Sequence, residues 1–142
     1  MVDGTNIPEL PLTAWRDGKF KQNSEILLGT NSNEANLFVW PFQEKSMSAA
    51  EYANFVQEVV NGHDAATSLN ASQIAQVFDQ YKPSTTQDNR PMASALLTDL
   101  TFLCGTRFAA SVQHSSYVYR FDHRSKCLDF LKPLVPGGWR TL

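Results

Sequence analysis

The chain has 142 residues, 42% hydrophobic and 18% charged, with twelve Lys and Arg against fourteen Asp and Glu for a net charge of −2. That is enough chain for one domain with a real core, and the composition is globular rather than disordered. The scattered, outnumbered basic residues exclude an electrostatic footprint for nucleic acid; no apolar run approaches the roughly 20 residues of a membrane span; and the two cysteines are too few for a disulfide scaffold and lack zinc-site spacing.

Met1 to Thr5 carries neither the basic n-region nor the apolar h-region of a signal peptide. Read alone, this start predicts a cytosolic protein, while its abruptness is equally that of a chain whose N-terminus lies further upstream. Residues 1–23 are rich in turns, punctuated by Asp3-Gly4, Pro8, Pro11 and Asp17-Gly18, with room for one helical turn over Leu12 to Arg16. Ile26-Leu27-Leu28, ending at Gly29, is a short continuous apolar run of the kind buried inside a parallel sheet. The turn Asn31-Ser32-Asn33 comes after it, and then the apolar segment Leu37 to Trp40, which Pro41 is expected to stop.

Two helices come next. Ser48-Ala49-Ala50-Glu51 has the form of a capping box, with Met47 and Tyr52 at staple positions. Tyr52, Phe55, Val56, Val59 and Val60 then mark one helix face, and Asn61-Gly62 supplies the stop. Asn70-Ala71-Ser72-Gln73 repeats the box in its Asn/Gln form ahead of Ile74, Val77, Phe78 and Tyr81. After a polar loop over 83–90, the longest periodic stretch, about 93–113, predicts an amphipathic helix with Ala93, Leu96, Leu97, Leu100, Leu103, Cys104, Phe108 and Val112 on its apolar face. Tyr117 to Phe121 predicts a strand, and the pattern fades after Cys127. Strands separated by helices define an α/β class with parallel strands. Two strands make a poor sheet alone, so further strands are expected from elsewhere.

Three segments carry a resemblance. Val2-Asp3-Gly4, Pro8, Pro11, Gly18-Lys19-Phe20 and Ile26 through Glu34 form the first; Thr98 to Cys104 with Arg107 and Ala109 the second; Val118 to His123 the third. Their order and spacing resemble the C-terminal half of the type-B carboxylesterase/cholinesterase-like family of α/β-hydrolases. The likeness runs over roughly residues 2–130, leaving 131–142 as a divergent tail on a partial carboxylesterase type-B domain. The resemblance implies a partial α/β-hydrolase fold, with few parallel strands and several packed helices. It also implies a parent enzyme that hydrolyses carboxylic esters through a Ser–His–acid triad, without cofactor or metal, and that is secreted or extracellular.

By the same resemblance, the triad acid falls at Glu34, in the turn after the strand. Its work would be to accept the imidazole Nδ1–H, fixing the tautomer and stabilising the imidazolium. Apart from the resemblance, a Glu at such a turn is ordinarily a first-turn acid complementing a helix dipole. The surroundings depart from the family, which has Asp before and Gly after this Glu where this chain has Asn33 and Ala35. Ala35 leads us to expect an altered turn if a positive φ is needed there.

No G-x-S-x-G nucleophile elbow occurs in the chain, no Gly-rich oxyanion loop precedes position 34, and no histidine lies beyond His123. His63, His114 and His123 are read as structural. Asp99 is either a buried hydrogen-bonding acid, as the resemblance suggests, or a solvated helix acid. Cys104 is expected as a small buried hydrophobe, and a Cys104–Cys127 disulfide is open in an oxidising compartment, where it would be worth about 3 kcal/mol. Asn70-Ala71-Ser72 is a glycosylation sequon whose Asn already serves as a helix cap. Phe38, Trp40 and Phe42 are expected in the core, with an acyl pocket as the alternative.

Two functions are compatible with these residues. One is a carboxylic ester hydrolase segment that holds only the triad acid and is inactive alone. The other is a non-catalytic, cholinesterase-like binding or adhesion module.

Overall fold

The computed structural model describes residues 2–21, 23–61 and 68–123. In chain order they form α1 (Pro11–Arg16), β1 (Glu25–Asn31), α2 (Asn36–Phe42), α3 (Ala49–Asn61), α4 (Ala71–Gln80), α5 (Arg90–Thr98), a π-helical segment (Asp99–Leu103), α6 (Cys104–Val112) and β2 (Ser115–Phe121). The class is mixed α/β with two parallel strands and several helices, as in a partial α/β-hydrolase fold. Two compact units can be distinguished, one holding Met1–Ser32 with Asp99–Asp122 and the other holding Asn33–Thr98.

In the first unit β1 and β2 pair in parallel, with Gly29 opposite Tyr119. The Tyr119 ring lies where a Cβ on residue 29 would stand, so the glycine supplies space rather than a special backbone angle. Parallel strands are joined only by a crossover, here the helical chain between them, and α6 packs on both strands while α1 packs on α6. Side-chain bonds tie strand ends to their neighbours. The Gln113 amide donates to the Ser24 carbonyl, and the Ser116 hydroxyl donates to the Ala110 carbonyl at 2.8 Å. Beyond β1, Ser32 N–H donates to the Phe121 carbonyl at 3.0 Å, and Arg120 Nε donates to the Ser32 hydroxyl at 2.9 Å. Contrary to the buried run expected over Ile26-Leu27-Leu28, Leu27 is exposed, as are Tyr117, Val118, Tyr119 and Phe121, because two strands leave the sheet uncovered.

The second unit has the core. Val39, Met47, Tyr52, Val56, Val60, Ala93 and Leu96 form one buried cluster, flanked by Phe55, Leu69, Ile74, Val77, Phe78 and Tyr81. Each fully buried side chain of this size contributes roughly 1.5–3 kcal/mol by leaving water. Both capping boxes close as their sequences require. Ser48 N–H donates to Glu51 Oε2 at 2.7 Å while Glu51 N–H donates to Ser48 Oγ at 3.3 Å. Asn70 N–H donates to Gln73 Oε1 at 2.9 Å and Gln73 N–H donates to Asn70 Oδ1 at 3.0 Å. Met47 and Tyr52, the staple pair, both join the core. The Tyr52 ring meets Phe78 edge-on, with centroids 6.3 Å apart, and its hydroxyl donates to the Tyr81 carbonyl at 2.8 Å.

Asn89 organises the connections around this core. It is 1% exposed. Its Nδ2 donates to the carbonyls of Met47 and Ser84 at 3.1 and 3.0 Å, and its Oδ1 accepts from Ser84 N–H at 2.7 Å. Asp88 accepts from Met47 N–H at 2.9 Å and pairs with Arg90, Nη2 to Oδ2 at 2.7 Å. Burial raises the Asp88 carboxyl, but the Arg90 and backbone donors outweigh it and hold the group below its ordinary value.

Four other expectations need correction. Pro41 does not stop its segment: α2 runs to Phe42 with the proline inside it. Pro41 removes one donor from the ladder, but Gln43 N–H still closes on the Val39 carbonyl at 2.9 Å. Second, the long helix forms, but its apolar face is not continuous. The π segment inserts extra backbone at Asp99–Leu103 and shifts the helical phase, so Leu100 and Cys104 are exposed where the simple period had them buried. Third, Phe38 and Phe42 are exposed, not core. Fourth, the helical stretch Arg90–Val112 is by length and composition long and apolar enough to cross a membrane. Asp99 and Arg107 break its apolar run, which is why the sequence alone did not flag it.

Candidate functional site

Glu34 lies in the turn over residues 32–35, just past β1, and it is half-buried. The backbone beside it is fixed from several directions. Ala35 is 0% exposed, and its N–H donates to Thr98 Oγ1 at 3.0 Å. Its carbonyl accepts from Val39 N–H at 2.9 Å, opening α2. Asn36 N–H donates to the Asn33 carbonyl at 3.2 Å, bridging across Glu34. Ala35 has φ −77° and ψ −4°, ordinary right-handed backbone. The turn therefore needs no glycine at position 35, and alanine occupies it without strain.

The neighbouring polar groups are buried and paired. Asn36 Oδ1 accepts from the Ser94 hydroxyl and from Trp40 Nε1, the latter at 3.3 Å. The Trp40 ring lies under the Arg90 guanidinium, 4.1 Å from centroid to Cζ. Arg90 Nη1 also donates to the carbonyls of Gln43 and Glu44, both at 3.1 Å. Arg90, Ser94 and Thr98 recur every fourth residue, one helical turn apart, so a single face of α5 contacts α2 and the turn before it through three successive polar side chains. None of the three was singled out from the sequence. The readable signal was a Ser and a Thr four apart among the apolar positions of α5, since buried hydroxyls require partners.

The other residues with an expected role are dispersed. Asp99 is half-buried and is the first residue of the π segment. Cys104 is an exposed, free thiol, and Cys127 lies outside the described residues. Asn70 is exposed at the start of α4, with its Oδ1 and backbone N–H engaged in the capping box. His114 and His123 are exposed, and His63 lies outside the described residues.

Two parallel strands joined through helices are consistent with a partial α/β-hydrolase fold. The carboxylesterase family model matches residues 1–140, and the chain belongs to that family. Among characterised proteins it is similar to two from Dictyostelium discoideum. One, "Crystal protein", is 28% identical over 131 residues, covering 87% of this chain. The other, "cAMP-regulated D2 protein", is 30% identical over 128 residues, again covering 87% of this chain. The chain spans 22% of the length of each of these relatives.

Proposed function

We propose that this chain is the acid-bearing segment of a carboxylic ester hydrolase of the serine type, with Glu34 as the triad acid. In the whole enzyme a serine hydroxyl attacks the ester carbonyl, a histidine takes the hydroxyl proton, and the Glu34 carboxylate accepts the other imidazole N–H. The leaving alcohol departs with a proton returned by that histidine, and water then releases the acid product from the acyl-enzyme. No metal or cofactor enters this scheme. The observation that carries the reading is the placement of Glu34 in a chain of the carboxylesterase family, on a turn whose flanking amide is secured to α5 by a buried hydrogen bond.

The chain contains no G-x-S-x-G and no histidine after His123, so this segment alone has no nucleophile of that type. Purified chain incubated with a p-nitrophenyl ester is expected to release p-nitrophenol no faster than the Glu34→Gln variant does. Turnover above that baseline refutes the inactivity.

A second reading, a non-catalytic binding module built on the same fold, draws on the Asn33 and Ala35 substitutions around Glu34 and on the exposed aromatic side chains of β2. It is distinguished by longer sequence. An upstream G-x-S-x-G with a downstream histidine favours the enzyme, and replaced residues at both positions favour the binder.

A further inference from the structure

Of the polar groups buried in the second unit, Asn89 serves loops around the core, whereas Ser94, Thr98 and Asn36 converge on the short stretch of backbone that carries Glu34. Thr98 is 5% exposed, Ser94 3% and Asn36 7%. A hydroxyl this deep costs free energy unless it is bonded, and a helix–helix contact of this size would ordinarily be filled by apolar side chains. Here the polar face is retained, and its members attach in order along the chain. Thr98 holds the amide of Ala35, Ser94 holds the side chain of Asn36, and Arg90 covers Trp40 and donates to the Gln43 and Glu44 carbonyls just past α2. α2 is thus pinned at its start and at its end, and the residue next to the first pin is Glu34.

We propose that Thr98 is a positioning residue for the Glu34 carboxylate, with Ser94 and Arg90 as the second and third anchors along the same face of α5. The inference rests on the reading of Glu34 as the triad acid and adds how that acid is held. An acid that must orient an imidazole works only within a narrow range of positions, and groups that lock the adjacent backbone supply that restraint. The π segment begins at Asp99, immediately after Thr98. Thr98 therefore ends the regular α-helical register, and its phase relative to Ser94 and Arg90 is kept.

The test uses the full 142-residue chain and needs no esterase activity. Thr98→Val, Thr98→Ala and Thr98→Ser are compared with the unmodified chain by NMR, tracking amide exchange at Ala35 and the side-chain order of Glu34, with the Tyr52 ring signals as the control for the core. In Thr98→Val the Ala35 amide is expected to exchange about tenfold faster and Glu34 to lose order while the Tyr52 signals stay in place. Thr98→Ser, which restores the acceptor, is expected to recover both. Should Thr98→Val lose the folded Tyr52 signals, Thr98→Ala is read in its place. Unchanged exchange and unchanged Glu34 order in the folded variant overturn the proposal, as does a Thr98→Ser variant that behaves like Thr98→Val. Ester turnover by the chain alone would refute its inactivity, and replaced residues at the nucleophile and histidine positions of the longer sequence would remove the esterase reading, neither altering this result, so the failures are separate.

Discussion

In the second unit Tyr52 and Val56 are fully withdrawn from water, whereas in the first unit Leu27 of β1 is 70% exposed and Tyr117 of β2 60%. The helices around Tyr52 close a core locally because α3 and α4 each carry a start signal within four residues and an apolar stripe. The strands have good strand composition, but parallel sheets are ordinarily covered on both faces and extended at both edges. Two paired strands with α6 against them do not reach that state, although the chain makes their pairing. The difference teaches that helical packing can be satisfied within one short segment of a family domain, while a parallel sheet is a property of the whole domain. The chain covers 22% of the length of its relatives, in keeping with that division.

The contrast can be broken by substitution. Tyr52→Ala is expected to cost about 4 kcal/mol in a denaturation experiment, through lost burial and the cavity left behind, while Leu27→Ala costs under about 0.5 kcal/mol. Equal costs would erase the distinction between the two regions. Next in size, Asn89→Ala removes bonds to Met47 and Ser84 at once and is expected to cost roughly 2–3 kcal/mol, read as a lower denaturation midpoint at constant slope.

A smaller effect sharpens the comparison from the alkaline side. Burial pushes the Tyr52 phenol up from 10.0 to about 12. The unfolded chain ionises first, so the stability that this group contributes is whole below pH 10.0 and is lost as pH rises through about 12. The loss is expected to approach about 1.4 kcal/mol per pH unit. It should vanish in Tyr52→Phe, and a variant that keeps the same alkaline slope would show that another group is responsible.

Legibility in the sequence tracks the range of the interactions. Ser48 with Glu51 and Asn70 with Gln73 sit three residues apart, so both helix starts were legible. The parallel pairing was legible as a class, since strands divided by helices leave few other topologies. The π segment was not, because no single residue encodes an extra backbone unit, and its consequence, the exposure of Leu100 and Cys104, was missed with it. Glu34 was reached only through family resemblance, as a lone Glu after a strand has no signature. The expectation of an altered turn at Ala35 came from supposing a positive φ, and the observed −77° shows that alanine sits there without strain. Thr98 belongs to a segment that resembles the family, but its role was not legible, since its partner, the Ala35 amide, is distant in sequence.

The central claim is that this chain holds the acid of an esterase triad and no activated serine. Intact-mass measurement after incubation with an organophosphate that phosphorylates such serines tests it most directly. The account predicts a chain that keeps its unmodified mass. A stoichiometric single adduct on a serine of this chain would contradict it.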